Sequence, residues 1–357
     1  MSIFLQRPCE SREELFDRDD ELEMAVKAIR NDIWLSILGL RMSGKTSLAK
    51  VAANMLSSEG YDSIYVNLMG VRGVRDAAER ILSSIPRGLL ERIRELKGFL
   101  EALGVAVTGM RFEVKLKTST SSTKVLEKLF LELSRRRKLI VILDEVQEIK
   151  GGVNHFLAML SRLRASTKEL IFIFTGSAIG MMRTLLLPSP RNPLYGRTPV
   201  KIELKPWSRK LAISYLEHGL SKCNVKYSDE ELEEAVSTLG TLPGWLSFYG
   251  LRRCLGMPHE KALKEAREQA VGIARKELEN LLKNREEWAK KVLRMLTYGS
   301  KWTEMLTEAN VSTRSLSNLL QTLKSLYLVT EEKGVYTITD PVYRQATLTM
   351  KIENHAL

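Results

Sequence analysis

The run Gly39-Leu40-Arg41-Met42-Ser43-Gly44-Lys45-Thr46 governs the reading of everything around it. A short apolar stretch, Ile33 to Leu38, ends just before it. A helix-forming stretch, Ser47-Leu48-Ala49-Lys50-Val51-Ala52-Ala53, begins just after. The two glycines let the backbone turn tightly enough for successive N–H groups to converge on one spot. The helix that follows brings its positive dipole end to the same place. The order G-x-x-x-x-G-K-T between a strand and a helix is the Walker A phosphate loop. In that chemistry Lys45 reaches the β- and γ-phosphates of a nucleotide, and the Thr46 hydroxyl ligates Mg²⁺. Gly39, Arg41, Met42, Ser43, Gly44 and Ser47 complete the expected cradle for ATP or ADP.

A second apolar run, Leu139-Ile140-Val141-Ile142-Leu143, ends in Asp144-Glu145 about a hundred residues later. That is the Walker B arrangement: Asp144 is expected to hold Mg²⁺ through water and Glu145 to polarise the attacking water. The next apolar strand ends in Phe174-Thr175-Gly176-Ser177, which puts Thr175 or Ser177 in place to sense the γ-phosphate; a simple turn is the bland alternative. Farther on, Asn192-Pro193-Leu194-Tyr195-Gly196-Arg197 offers an arginine that either reaches a γ-phosphate or anchors its own loop.

Periodicity divides the 357 residues into three parts. Residues 1–204 alternate helical patterns with uniformly apolar strands, the mark of a parallel sheet covered on both faces. Met110 to Lys117 alternates polar and apolar residues and reads as an edge strand. Residues 205–285 carry helical patterns alone. Residues 286–357 read as helices followed by a hairpin about Glu332-Lys333-Gly334. The expected class is therefore α/β: a P-loop domain with a parallel sheet, then an all-α lid, then a winged-helix domain.

Composition narrows the function classes. No apolar run reaches the roughly 18 residues of a membrane span. The opening residues lack a signal-peptide core, so a cytoplasmic protein is expected. Cys9, Cys223 and Cys254 are an odd count without close spacing, and the four histidines are scattered, so neither disulfides nor a zinc site is expected. The net charge of +12 is unevenly placed: residues 151–200 and 251–300 carry +5 each, whereas 301–357 is neutral.

With these motifs in order, the chain resembles the archaeal ATPase family, a STAND-class branch of the AAA+-related P-loop NTPases. Phe16-Asp17-Arg18-Asp19-Asp20-Glu21-Leu22 looks like the family's box that cradles the adenine, which brings Arg18 into the nucleotide set. Asp144-Glu145-Val146-Gln147, Thr175-Gly176-Ser177 and Pro193-Leu194-Tyr195-Gly196-Arg197 match further motifs. Gly240-Thr241-Leu242-Pro243-Gly244 resembles the lid turn whose proline, here Pro243, packs near the nucleotide. Asn67 departs from the pattern, where an acid is frequent. The resemblance implies a slow, Mg²⁺-dependent ATPase working as a molecular switch, with a nucleotide-dependent homo-oligomer in view.

The last part leaves two partners open. A helix with Leu316, Leu319, Leu320, Leu323 and Leu326 on one face would show Arg314, Asn318, Gln321 and Lys324 on the other, in the position of a DNA-reading helix. Its neutral charge argues against strong phosphate contact. In one reading the basic stretch Arg252, Arg253, Lys261, Lys264, Arg267, Arg275 and Lys276 holds duplex DNA, as in origin-recognition or helicase-loader proteins. In the other, this part binds a protein partner or locks the ATPase.

Overall fold

The computed structural model describes residues 3–86, 88–89, 121–177, 180–282 and 287–350. The edge strand expected at 110–117 lies outside them. The chain forms two compact units, one of residues 8–39 and 45–204, the other of 1–7, 40–44 and 205–357.

In the first unit a five-stranded, all-parallel sheet runs in the order β2-β3-β4-β1-β5. Its strands are β1 (Leu35–Gly39), β2 (Asp62–Asn67), β3 (Leu139–Asp144), β4 (Leu170–Gly176) and β5 (Val200–Leu204). β1, β3 and β4 are buried at every position, as their mainly apolar sequences suggest, with Ser36, Asp144 and Thr175 the buried polar members. β5 escaped the sequence reading because Val200-Lys201-Ile202-Glu203-Leu204 alternates, as an edge strand with one wet face does. The helices are α1 (Asp19–Arg30), α2 (Lys45–Met55), α3 (Val74–Ser83), α4 (Ser122–Ser134), α5 (Val153–Ser166) and α6 (Gly180–Leu186). Trp34 closes the start of the sheet: its indole N–H donates to the Leu170 carbonyl at 2.9 Å, and its ring meets Phe172 edge-on at 4.8 Å. Phe130, Phe156, Phe172 and Phe174 are fully buried. Each such ring contributes about 1.5–3 kcal/mol of apolar burial.

The second unit holds α7 (Arg209–Lys222), α8 (Asp229–Leu239), α9 (Pro243–Cys254) and the long α10 (His259–Leu282). Then come α11 (Glu287–Tyr298), β6 (Ser300–Lys301), α12 (Trp302–Glu308), α13 (Thr313–Ser325), β7 (Val329–Glu332), β8 (Val335–Ile338) and α14 (Pro341–Thr349). β8 pairs antiparallel with both β6 and β7. The β7–β8 hairpin turns through Lys333 and Gly334, both at positive φ, the geometry that twists with its strands. Ser312 caps α13, its hydroxyl accepting from the Ser315 N–H at 3.2 Å. Leu316, Leu319, Leu320 and Leu323 are buried on the inner face, and Arg314, Asn318, Gln321 and Lys324 are exposed on the outer. Asp340 caps α14 and is buried; that burial pushes its carboxyl up to about 7.

One expectation is overturned here. Cys223 and Cys254, 31 residues apart, form a disulfide. The first caps the C-terminus of α7 and the second is the last residue of α9. The packing of these two helices brings the sulfurs together, which sequence spacing cannot reveal. Among the described residues, no helix is long and apolar enough to cross a membrane, and no cluster of His, Cys, Asp and Glu is arranged for a metal ion.

Candidate functional site

Within the sheet unit, α2 begins at Lys45, whose side chain is buried at the helix N-terminus with Nζ donating to the Gly39 carbonyl at 3.1 Å. The strand order puts β4 between β1 and β3, so the ends of all three strands meet at one edge. In register, Thr175 pairs with Ile37, and Asn67 pairs with Asp144. Asp144, at the tip of β3, gathers three hydroxyls. Its Oδ2 accepts from Thr46 Oγ1 at 2.9 Å and from the Tyr65 phenol at 2.8 Å, and its Oδ1 accepts from Thr175 Oγ1. Hydrogen bonds to a carboxylate are charge-assisted and fix its orientation. Burial, reinforced by the Asp144 charge, pushes the Tyr65 phenol far above its ordinary value, so it stays a donor. The Lys50 ammonium sits 4.3 Å over the Tyr65 ring. Tyr65 belongs to this cluster, yet sequence reasoning passed over it. Its place comes from the pairing of β2 with β3, which carries no local sequence signal.

Glu145 follows Asp144 in a left-handed conformation, φ 58°, and accepts a hydrogen bond from Gln147 Nε2. The residues before α1 reach α2 as well. The Ser47 hydroxyl accepts from the Cys9 N–H at 3.1 Å, and Lys50 pairs with Glu10 at 3.0 Å. Arg18 is buried, with φ 71°, and pairs with Glu21 at 2.9 Å.

Arg197 does not join this cluster. It is exposed, three residues before β5, whose Val200 pairs with Leu35 at the start of β1. The loop lies after Gly39, at the other end of β1. Four strand steps of about 3.3 Å separate the two ends, roughly 13 Å. The Arg197 charge instead acts on Arg164, whose guanidinium burial holds below its ordinary value and which lies over the Trp34 ring.

Residues 40–44 count with the second unit. Pro243 opens α9 at its first turn, where its missing N–H costs nothing. The next residue, Gly244, donates its N–H to the Met42 carbonyl at 3.0 Å. The approach requires glycine: a Cβ there would stand 2.6 Å from Met42 Cβ. Met42 itself has φ 67°. The Ser43 hydroxyl is buried and has no hydrogen-bond partner among the described residues. Arg41 is half-buried; its charge opposes the burial and the Glu277 carboxylate that together push the Tyr343 phenol up.

These residues fit a nucleotide and its metal. A buried ammonium at a helix N-terminus and an orphaned serine hydroxyl suit phosphate oxygens. A carboxylate beside a threonine hydroxyl is the all-oxygen donor set that Mg²⁺ takes. A parallel sheet with an extra strand between the loop-bearing and acid-tipped strands, together with this cluster, defines a P-loop ATPase of AAA+-like fold. The chain belongs to the family described as "ATPase domain predominantly from Archaea", whose model matches residues 15–247. Its structure is similar to that of the Walker-type ATPase paby2304 of Pyrococcus abyssi, with 25% identity and a TM-score of 0.75, over 97% of this chain and 99% of that one. In fold it is also similar to the Aeropyrum pernix ORC2 protein in its ADPNP–ADP complexes, with 16% identity and a TM-score of 0.61, over 96% of each chain. Cdc6p from Pyrobaculum aerophilum shares the fold at 13% identity and a TM-score of 0.50, over 97% of this chain and 96% of that one. No curated protein matches the sequence.

Proposed function

We propose that this ATPase is a slow, Mg²⁺-dependent molecular switch. The observation that carries the reading is the Asp144 carboxylate, held by the Thr46, Tyr65 and Thr175 hydroxyls, with Glu145 next in the chain. In this reading Lys45, the Ser43 hydroxyl and the loop backbone from Gly39 to Gly44 hold the phosphates; Arg41 and Met42 belong to that loop. Thr46 and Asp144 hold Mg²⁺, which when bound supplies positive charge against the phosphate oxygens. Glu145 takes the proton side of the attacking water, and Thr175 senses the γ-phosphate beside it. Ser47 supports the first turn of α2 through Cys9, Arg18 belongs to the box proposed to cradle the adenine, and Pro243 keeps its proposed nucleotide role from the resemblance.

The hydrogen bond from Gly244 to Met42 supports the switch: whatever moves the phosphate loop acts directly on the first turn of α9. We take 205–285 as a lid and 286–357 as a winged helix, whose helix–strand–helix–helix–hairpin order the elements follow. Arg197, remote from its own loop, serves as a γ-phosphate arginine only toward a neighbouring chain in a nucleotide-dependent homo-oligomer. A lone chain then hydrolyses slowly. The test is steady-state phosphate release by Glu145→Gln. Nucleotide affinity is expected to hold while turnover drops roughly 10²–10⁴-fold, the range of a positioned general base. Equal turnover in both proteins removes Glu145 from the reaction.

The exposed face of α13 favours a second reading, an ATP-modulated grip on duplex DNA. Arg314, Asn318, Gln321 and Lys324 are all solvent-facing there.

A further inference from the structure

We propose that Gln147 is a positioning residue that ties the Glu145 carboxylate to the tip of β4, so that the water-orienting group and the phosphate-sensing strand end move as one. The inference rests on Glu145 being the base.

Gln147 lies in the 3-10 turn Val146–Glu148 that follows β3. Its side-chain amide has two ends, and both are used. Nε2 donates to Glu145 Oε2, and Oε1 accepts from the Ser177 backbone N–H at 3.3 Å. Thr175, two residues before Ser177, donates to Asp144. The links close a ring: Asp144 to Glu145 along the chain, Glu145 to Gln147, Gln147 to Ser177, and back along β4 through Thr175 to Asp144. Gly176 completes the fit. A Cβ on Gly176 would stand 2.0 Å from Gln147 Oε1, and its φ of 149° is one that other residues rarely adopt.

The chemistry follows from the amide's bifunctionality. A carboxylate can only accept hydrogen bonds when ionised, and a backbone N–H can only donate. A neutral amide side chain satisfies both at once, with its donor and acceptor on separate atoms. Glu145 leaves the strand in a left-handed conformation, and the Gln147 amide donates to its carboxylate there. Donation to Oε2 leaves Oε1 free to orient water. A displacement of Thr175 or Ser177 when the γ-phosphate leaves would pull on Oε1 of Gln147 and turn the Glu145 carboxylate.

The experiment compares full-length wild type, Glu145→Gln, Gln147→Ala, Gln147→Glu and the double variant Glu145→Gln/Gln147→Ala, reading kcat, KM for ATP, affinity for a fluorescent ATP analogue and thermal midpoint. Gln147→Ala is expected to lower kcat by roughly 10–100-fold, less than loss of the base itself, with KM and nucleotide affinity within about twofold of wild type. Gln147→Glu keeps the shape and the acceptor for Ser177 but loses the donor. It also sets a second carboxylate against Glu145, so it is expected to lose kcat at least as far as Gln147→Ala. Its own thermal midpoint shows whether that loss is read in a folded protein if Gln147→Ala folds poorly. In the double variant, removing Gln147 should slow turnover no further than Glu145→Gln alone. Wild-type kcat in both Gln147 variants beside a dead Glu145→Gln overturns the positioning role and leaves the base standing. Wild-type kcat in Glu145→Gln overturns the base, and the positioning role with it. An equal additional loss in the double variant shows that Gln147 acts independently of Glu145, and overturns the proposal.

Discussion

At the scale of single residues, the site is an arrangement of hydroxyls around one charge. A carboxylate that accepts from Thr46, Tyr65 and Thr175 has most of its lone-pair positions spoken for before any metal arrives. Partners of this kind orient a ligand carboxylate, and their loss typically costs 10–100-fold in metal affinity. Tyr65→Phe keeps the ring beneath Lys50 and removes one donor. Its half-saturating Mg²⁺ concentration, from a metal titration of hydrolysis, is expected to rise about tenfold, with metal-free ATP affinity unchanged. Superimposable Mg²⁺ curves for the two proteins would show that the phenol does not hold Asp144. Asp144 and Thr46 could be read from their motifs because phosphate-loop chemistry prescribes residue type and spacing. Tyr65 could not, because its role comes from the pairing of β2 with β3, a register that no local pattern encodes.

At the scale of elements, the loop before β5 carries the proposal of slow turnover in an isolated chain. Arg197 is exposed and sits at the end of the sheet away from the phosphate loop, so the proposed γ-phosphate role for it is one toward another molecule. An arginine supplied in trans is worth about 10³-fold or more. Turnover per chain is therefore expected to rise with protein concentration, and Arg197→Ala to abolish that rise without altering the rate of dilute protein. A specific activity that stays flat over a hundredfold range of concentration would remove Arg197 from the reaction. The same elements show where the sequence was legible. β1, β3 and β4 announced themselves as mainly apolar runs because they are covered on both faces, and α13 did so through its leucine stripe. β5 alternates at the sheet edge and lacks the mainly apolar run of the covered strands. The Cys223–Cys254 bridge depends on the ends of α7 and α9 meeting, and helix packing is a tertiary outcome.

At the scale of the whole molecule, the charge of +12 has to be judged by where it is free. Arg253 is buried, pairs with Glu231 at 3.0 Å and donates to the Lys226 carbonyl at 2.8 Å. Arg252 is engaged by Glu265 at 3.2 Å and by Gln269 at 2.8 Å. Arg253 is thus internal rather than phosphate-facing, contrary to the sequence expectation, whereas Arg252 is half-buried and held by surface partners. Lys261, Lys264, Arg267, Arg275 and Lys276 of α10 are exposed, Arg275 beside Glu279 at 3.7 Å. If duplex DNA is a partner, four phosphate contacts give a slope of about −3.6 for log K against log salt. Replacing Lys261 and Lys264 with alanine should then flatten it by about 1.8, and no duplex binding at low salt with either nucleotide would end the DNA reading. All of these readings stand on the phosphate loop. Its most direct measurement is equilibrium binding of labelled ATP with Mg²⁺ to wild type and to Lys45→Ala. Removing the buried ammonium at the start of α2 takes away a charge-assisted contact to phosphate, and affinity is expected to fall on the order of 100-fold or more. A Lys45→Ala protein, folded by its thermal midpoint, that binds ATP as tightly as wild type would contradict the account.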